Sequence, residues 1–235
     1  MKGVILAGGL GTRLRPATLV TNKHLLPVFD RPMIFFAIET LRTAGIREIL
    51  IISGPENAGD FARLLSDGSD FNCDFTFKIQ KNPGGIADAL KLAENFARDE
   101  NLAVILGDNI FTENFENQIK NFKTGAQIFL KKVDDANRFG VAILNEKNEV
   151  LEIIEKPKNP PTNFAVTGFY IFDATVFAKI QKCKKSARGE IEISDVNNFY
   201  IAERKMRATE ISGEWTDAGT PESLLRAANL VQSRA

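Results

Sequence analysis

The sequence predicts an α/β protein with a Rossmann-like, mostly parallel sheet flanked by helices. Short apolar runs without polar alternation, such as residues 48–53, are typical of strands buried on both faces of a parallel sheet. Amphipathic segments separate these runs in the first half of the chain, which indicates helices that cover the sheet. The second half instead carries strand-like segments joined by short polar links such as residues 146–148, so we expect antiparallel additions there.

Each element follows from its local pattern. The predicted strands are 2–7, 48–53, 74–80, 102–106, 126–133, 141–144, 150–155 and 165–172. The predicted helices are 33–44, 57–66, 86–97, 194–205 and 221–233. Ser194 is the expected N-cap of the fourth helix, and Thr220-Pro221 supply the N-cap and first residue of the fifth. We expect one domain over residues 1–235, since no linker or repeat interrupts it.

The composition excludes several classes of function. Thirty basic residues balance thirty acidic ones, so no global positive field exists to hold a nucleic acid polymer. No segment approaches the ~20 apolar residues of a membrane span. Cys73 and Cys183 show no metal-ligand spacing and fit a reducing cytoplasm, where we expect the protein to work. Because His24 is the only histidine, the sequence disfavours both a His-based zinc site and a Ser-His-Asp triad.

A glycine-rich loop directly follows the first predicted strand, with the sequence Gly8-Gly9-Leu10-Gly11-Thr12-Arg13. Glycines let backbone N–H groups approach phosphate oxygens without a Cβ clash. In an open α/β sheet this loop lies at the carboxyl end of a strand, where ligands bind. Arg13 adds a positive fork suited to phosphate, so the loop predicts a nucleoside triphosphate site.

Two other loops of this kind fit less well. A Walker A loop requires Gly-Lys followed by Ser or Thr, which is absent here. A dinucleotide-binding loop requires a third glycine where Leu14 stands, and an acidic residue near the end of the second strand, which ends in Ile52-Ser53-Gly54. A nicotinamide-dependent oxidoreductase is therefore disfavoured.

A series of motifs resembles the sugar-1-phosphate nucleotidyltransferases, in particular the glucose-1-phosphate thymidylyltransferase group. The motifs run the length of the chain: Gly8–Pro16, Lys23, Leu26–Val28, Arg31–Ile34, Pro83–Ala87, Gly107–Phe111, Arg138–Val141, Glu155–Pro157, Ala165–Gly168, Arg188–Asp195 and Trp215–Thr220. The resemblance implies the nucleotide-diphospho-sugar transferase type of α/β fold. It also implies that residues 1–112 mainly bind the nucleotide and residues 113–235 mainly the sugar.

The reaction implied by the resemblance joins two polyanions. An oxygen of a sugar-1-phosphate attacks the α-phosphorus of a nucleoside triphosphate and pyrophosphate leaves, so charge neutralisation and positioning dominate catalysis. By resemblance, Arg13 and Lys23 are the catalytic cations. Asp108 and Asp217 would hold Mg²⁺, for which carboxylate and phosphate oxygens are suitable ligands.

The remaining site residues follow from the same resemblance. The nucleotide-binding set is Leu6, Ala7, Gly8, Gly9, Gly11, Thr12, His24, Gln80, Gly85 and Asp108. The sugar-phosphate set is Gly140, Glu155, Lys156, Val166 and Thr167. The Gln80 amide offers a donor and an acceptor to the imide edge of thymine or uracil. His24 stands where thymidylyltransferases often carry glutamine.

We therefore expect thymidylyl transfer from dTTP to glucose-1-phosphate, supplying deoxysugar precursors such as dTDP-rhamnose for surface polysaccharide. UTP or another hexose-1-phosphate is the alternative within this class, and a non-catalytic sugar-nucleotide sensor is the alternative outside it. The presence of Arg13, Lys23, Asp108 and Asp217 disfavours the sensor. The resemblance also implies a possible homo-oligomer, and a short form without the C-terminal helices that add a second nucleotide site in longer members.

Overall fold

The computed structural model describes residues 1–234. A nine-stranded sheet forms its centre, together with two small two-stranded sheets. The strands are β1 (Lys2–Ala7), β2 (Pro27–Val28), β3 (Arg31–Pro32), β4 (Glu48–Ser53), β5 (Asp74–Ile79), β6 (Leu102–Leu106), β7 (Asn109–Phe111), β8 (Ala126–Lys132), β9 (Gly140–Leu144), β10 (Val150–Glu155), β11 (Phe164–Phe172), β12 (Met206–Glu210) and β13 (Trp215–Asp217). The helices are α1 (Ile34–Thr43), α2 (Ala58–Leu65), α3 (Ile86–Lys91), α4 (Glu94–Ala97), α5 (Glu116–Asn121), α6 (Val176–Ile180), α7 (Ile193–Ala202) and α8 (Pro221–Gln232).

The parallel part of the sheet is built around β1, as the sequence predicts. β1 pairs in parallel with β4 on one side and β6 on the other, and β4 pairs in parallel with β5. Apolar side chains on both faces of these strands are buried, and they form two separate core clusters, one on each side of the sheet. The carboxyl ends of β1 and β6 therefore open side by side, which is where ligands bind in sheets of this kind.

β11 connects the parallel part of the sheet to its antiparallel strands. On one edge it runs antiparallel to β6 through its last four residues and to β9 near its start, and on the other edge it runs antiparallel to β8 at both of its ends. Its pairing with β8 shifts register between Val166 and Tyr170, and this irregularity lies beside the end of β6. The antiparallel additions predicted for the second half are confirmed here and between β9 and β10.

Several expectations about elements are corrected. The predicted helix 86–97 is two helices, because the Leu92 and Ala93 N–H groups donate three residues back, to Ala89 and Leu90, in a tightened turn that interrupts the α-helical hydrogen bonds. Helix α7 begins at Ile193 with Glu192 as its N-cap, so the prediction of Ser194 as N-cap was wrong. The reason is that the Ser194 hydroxyl donates to the Glu155 carboxylate instead of capping the helix.

The helix at the end of the described chain is capped as predicted. Thr220 accepts a hydrogen bond from the Ser223 backbone N–H, the Ser223 hydroxyl accepts from the Thr220 backbone N–H, and Pro221 opens α8. This capping box fixes the direction in which the chain leaves β13. Within residues 1–234, none of the helices combines the length and apolar character that crossing a lipid bilayer requires.

Candidate active site

A small antiparallel ladder sets the position of two acidic side chains that are far apart in sequence. β7 follows directly after Asp108, β13 ends in Asp217, and Asp217 lies opposite Asn109 in the ladder. The Ala218 N–H also donates to the Asp108 carbonyl oxygen at 2.8 Å. The backbone thereby holds both aspartates at the carboxyl end of β6.

The two carboxylates converge on Gly219 together with Arg13. A Cβ at Gly219 would stand 3.0 Å from Asp217 Oδ2, 3.2 Å from Arg13 Nη2 and 3.7 Å from Asp108 Oδ2. Glycine at this position therefore leaves room for all three groups to face one point. Arg13, Asp108 and Asp217 were predicted from three different motifs, and the fold brings them together.

Each carboxylate has its own cation in the structure. Lys23 Nζ pairs with Asp108 Oδ2, and Arg138 Nη2 donates to both oxygens of Asp217 at 2.9 and 2.6 Å. Burial favours the protonated form of Asp108, but the Lys23 ammonium outweighs it and holds the pKa of Asp108 well below its usual range. Burial raises the pKa of Asp217, and the Asp108 charge raises it further against the opposing effect of Arg138. Burial and the neighbouring Asp108 thus make the charged form of Asp217 less favourable than it is in water.

Asn109 forms hydrogen bonds that fix the position of Asp108. Its Nδ2 donates to Asp108 Oδ1 at 2.9 Å, while its Oδ1 accepts from the Trp215 Nε1–H at 2.7 Å and from the Gly168 N–H at 2.9 Å. The side chain of Asn109 therefore joins β13, β11 and Asp108 in one network. These hydrogen bonds hold the Asp108 carboxylate in one orientation.

The glycine-rich loop wraps around Lys23. A Cβ at Gly9 would lie 3.5 Å from Lys23 Nζ, and one at Gly11 would lie 2.9 Å from Lys23 Cβ. Gly11 also has a φ of 61°, in the left-handed region that favours glycine. The loop glycines thus make room for the lysine and allow the chain to turn toward Arg13.

His24 is enclosed behind this loop. Its ring Nδ1 lies 2.7 Å from Asn22 Oδ1, and the ring packs against Gly107, where a Cβ would stand 2.8 Å from Cδ2. Burial and the neighbouring Lys23 lower the pKa of His24 to about 3, so the ring is neutral at physiological pH. The predicted contact between His24 and a nucleotide stays a prediction, and the observed packing makes the ring a support for the loops that carry Lys23 and Asp108.

A cavity of about 130 Å³ extends from the two aspartates toward β10 and α7. Seven of the predicted site residues line it: Arg13, Asp108, Gly140, Glu155, Lys156, Val166 and Asp217. The Glu155 carboxylate accepts from the Ser194 hydroxyl and lies 3.5 Å from Arg188 Nη2. Lys156 Nζ lies 3.6 Å from the same carboxylate. A carboxylate between hydroxyl and cationic groups at the end of a polar cavity is suited to a phosphorylated sugar.

The other predicted residues lie around this cavity. Leu6 and Ala7 are the last two residues of β1, and Gly8, Gly9, Gly11 and Thr12 follow its carboxyl end. Gln80 follows β5 and lines a second depression together with Gly84, whereas Gly85 is the N-cap of α3. Thr167 on β11 is fully buried and does not line the first cavity, and its hydroxyl oxygen has no hydrogen-bond partner within residues 1–234.

The contacts of Arg138, Asn109 and Ser194 were not predicted from the sequence. Each residue lies within a motif named above, but the residue that it contacts is far away along the chain. Arg138 contacts Asp217, Asn109 contacts Trp215, and Ser194 contacts Glu155. Only the folded structure supplies these pairings.

A divalent cation fits the chemistry of the two aspartates. Among residues 1–234 no group of three or more acidic, histidine or cysteine side chains could hold a metal by itself. Asp108 and Asp217 nevertheless direct oxygens to a shared point beside Gly219. Substrate phosphate oxygens would complete the ligand set that Mg²⁺ prefers.

Comparison with known proteins places this geometry in a family. The Nucleotidyl transferase family profile matches residues 2–234. The chain belongs to this family. It is 43% identical to a glucose-1-phosphate thymidylyltransferase of Neisseria meningitidis, over 99% of this chain and 83% of that protein. It is 40% identical to one of Mycobacterium tuberculosis with the same coverage.

Solved structures agree with the family assignment. A candidate glucose-1-phosphate thymidylyltransferase from Bacillus anthracis, solved in complex with sucrose, superposes with a TM-score of 0.94 at 48% identity, over 99% of this chain and 95% of that one. A UDP-glucose pyrophosphorylase solved with UDP-glucose has a TM-score of 0.86 at 24% identity, over 100% and 99% of the two chains, and shows the shared fold. The predicted fold and the resemblance to the nucleotidyltransferases are confirmed.

Gly219→Ala tests the convergence point. The added methyl would stand 3.0 Å from Asp217 Oδ2 and 3.2 Å from Arg13 Nη2, so we expect kcat to fall by at least about tenfold. The melting temperature should change little, because alanine can adopt the φ of Gly219, which lies outside the left-handed region. Gly59→Ala on α2, where a Cβ would meet nothing within 4 Å, is the matched control and should keep full activity. Normal turnover by Gly219→Ala would show that the three groups do not share one site.

The burial of His24 predicts a pH dependence of stability. The unfolded chain binds a proton at His24 below pH 6.5, but the folded chain binds it only near pH 3, so stability falls as the pH drops below 6.5. Urea unfolding at pH 7.5 and at pH 5 should show about 2 kcal/mol of this loss in the wild type that is missing in His24→Gln. Equal pH dependence in the two proteins would mean that the folded His24 can take up a proton.

Proposed function

We propose that this nucleotidyltransferase transfers a thymidylyl group from dTTP to glucose-1-phosphate, forming dTDP-glucose and releasing pyrophosphate. The observation that carries the proposal is the convergence of Arg13, Asp108 and Asp217 on Gly219, at one end of a cavity whose other end holds Glu155 and Lys156. Phosphate-binding groups and sugar-binding groups thus meet in one site. The relatives named as glucose-1-phosphate thymidylyltransferases support the choice of substrates.

The nucleotide phosphates would bind over the glycine-rich loop. Backbone N–H groups of the loop would contact the phosphate oxygens, and the Arg13 guanidinium would stabilise the charge that develops on the departing pyrophosphate. Lys23 would leave Asp108 and bridge the α-phosphate and the sugar phosphate. A phosphate oxygen of the sugar then forms a bond to the α-phosphorus as the bond from that phosphorus to the β-phosphate oxygen breaks.

Asp108 and Asp217 would hold Mg²⁺ against the nucleotide. When bound, the ion neutralises phosphate charge and aligns the α-phosphate for attack. Asn109 orients Asp108 for this role through its hydrogen bond. Lys23 and Arg138, which pair with the two carboxylates in this structure, would move away from them when a divalent ion binds.

The sugar would lie between β9, β10 and β11. Glu155 would bridge sugar hydroxyls, with its carboxylate oriented by the Ser194 hydroxyl, while Lys156 would bind the sugar phosphate. We place Gly140 and Val166 against the sugar ring because both line the cavity. Thr167 would support these residues without touching the sugar, since its side chain is fully buried.

The base would be read at the end of β5 by Gln80, with a second contact at Gly85. Residues 1–112 then mainly serve the nucleotide and residues 113–235 mainly the sugar, within one domain. Because both substrates are cytoplasmic metabolites and Cys73 and Cys183 are free thiols, we place the reaction in the cytoplasm. Self-association is a further expectation, which size-exclusion chromatography with light scattering tests.

A pyrophosphate-release assay tests the function directly. The protein is incubated with Mg²⁺, glucose-1-phosphate and one of dTTP, UTP, CTP, GTP or ATP. We expect the highest kcat/KM with dTTP, and loss of release on removal of Mg²⁺ with EDTA, because two phosphate-bearing substrates must be neutralised together. Absence of release with every nucleotide would refute the enzymatic proposal, and release with purine nucleotides alone would refute the assignment of Gln80.

A further inference from the structure

The Gln80 side chain can present either a hydrogen-bond donor or an acceptor to a base, depending on how its amide is turned. A carboxamide has an acceptor oxygen and a donor nitrogen, so turning it over exchanges the pattern that it presents to a base. The N3 position of thymine and uracil is a donor, whereas that of cytosine is an acceptor. Selection between these bases therefore requires that the Gln80 amide be fixed in one orientation.

Asp88 on α3 supplies the group that fixes it. Gln80 Nε2 lies 2.8 Å from Asp88 Oδ2 and 3.5 Å from the Gly85 carbonyl oxygen. Both neighbours are acceptors, so the nitrogen must face them. The reversed amide would set its oxygen against the Asp88 carboxylate and lose the hydrogen bond, which is strengthened by the charge on Asp88.

Two glycines make room for this pair. A Cβ at Gly84 would stand 2.5 Å from Asp88 Oδ2, and a Cβ at Gly8 would stand 2.9 Å from Gln80 Oε1. The carboxylate therefore lies directly over the Gly84 backbone. The amide oxygen faces the glycine-rich loop, on the side where the nucleotide would bind.

The backbone around Asp88 is anchored on both sides. The Ile191 N–H donates to the Gly84 carbonyl oxygen at 2.8 Å, and the Ala87 N–H donates to the Ile191 carbonyl oxygen at 3.3 Å. The Gln80 backbone is tied to β4 by a hydrogen bond of 2.8 Å from its N–H to the Ser53 carbonyl oxygen. Neither partner of the Gln80–Asp88 pair can easily move away from the other.

We propose that Asp88 is a positioning residue that sets the base specificity of the site. By holding the Gln80 nitrogen, it leaves the Gln80 oxygen as the acceptor toward the loop, so the site accepts bases with an N3–H donor and rejects cytosine. This inference rests on the proposed use of Gln80 in base recognition. It assigns the discrimination between pyrimidines to the Gln80–Asp88 pair and not to Gln80 alone.

Asp88→Asn tests the inference. Asparagine keeps the shape of the side chain but can donate as well as accept, so it allows the Gln80 amide to turn over. We expect the ratio of kcat/KM for dTTP to that for dCTP to fall by about tenfold or more, while the KM for glucose-1-phosphate and the melting temperature stay near wild type. Asp99→Asn, which makes the same charge change at an exposed residue, is the matched control and should leave the ratio unchanged.

Asp88→Ala provides a second variant, which frees the amide without a new hydrogen-bonding partner and should lower the same ratio. Wild-type ratios in both folded variants, or a wild-type enzyme that uses dTTP and dCTP equally well, would overturn the inference. If the wild type releases no pyrophosphate with any nucleotide, the proposed function fails by itself. Calorimetry then still tests the role of Asp88. The preference for dTTP over dCTP, measured as the ratio of their dissociation constants, should be lower in both Asp88 variants than in the wild type.

Discussion

Two carboxylates of like charge face one point in this protein, and the rest of the site is arranged to make that possible. Asp108 and Asp217 each direct an oxygen to the same point beside Gly219 in a largely buried setting, where their mutual repulsion is poorly screened. The antiparallel pairing of β7 with β13 fixes their backbones, and Lys23 and Arg138 supply the compensating charges. Removing either cation would leave an uncompensated carboxylate beside another, which is costly in a buried site.

The same arrangement explains why the fold is well suited to joining two anions. The proposed nucleotide side consists of parallel strands whose carboxyl ends carry the glycine-rich loop, Asp108 and Gln80. The proposed sugar side consists of antiparallel strands that reach the same edge through β11. The Gly168 N–H, which lies within the register shift of β11, donates to Asn109, so the network that orients Asp108 also joins the two parts of the sheet. In the proposed function, the contacts that position the substrates are therefore also contacts that stabilise the sheet.

Sequence patterns predicted the long elements because these elements carry their own periodicity. The apolar runs of β1, β4 and β6 and the repeating pattern of α1 need no partner to be recognised. β7 and β13 have only three residues each and pair across about a hundred positions, so no local pattern marks them. The strand β12 was missed for a related reason, since as an edge strand paired only with β8 it carries polar residues such as Arg207 and Glu210.

The candidate site shows the same division. The glycine-rich loop, Arg13 and Asp108 were visible because residue type and place at a strand end together indicate phosphate chemistry. Arg138 and Ser194 were visible only as members of motifs, because their partners Asp217 and Glu155 lie far along the chain. Ser194 also misled the prediction of a helix cap, since a hydroxyl that can cap a helix can equally donate to a carboxylate.

The most direct test of a shared cation site is the binding of Mn²⁺, observed by electron paramagnetic resonance, in the presence of a dTTP analogue whose α,β-bridging oxygen is replaced by methylene. We predict one bound Mn²⁺ per chain. Asp108→Asn and Asp217→Asn should each weaken binding by on the order of ten- to a hundredfold, and the double variant should be little worse than either single variant, because both carboxylates act on the same ion. Wild-type Mn²⁺ affinity in folded Asp217→Asn would show that Asp108 and Asp217 do not share a cation site.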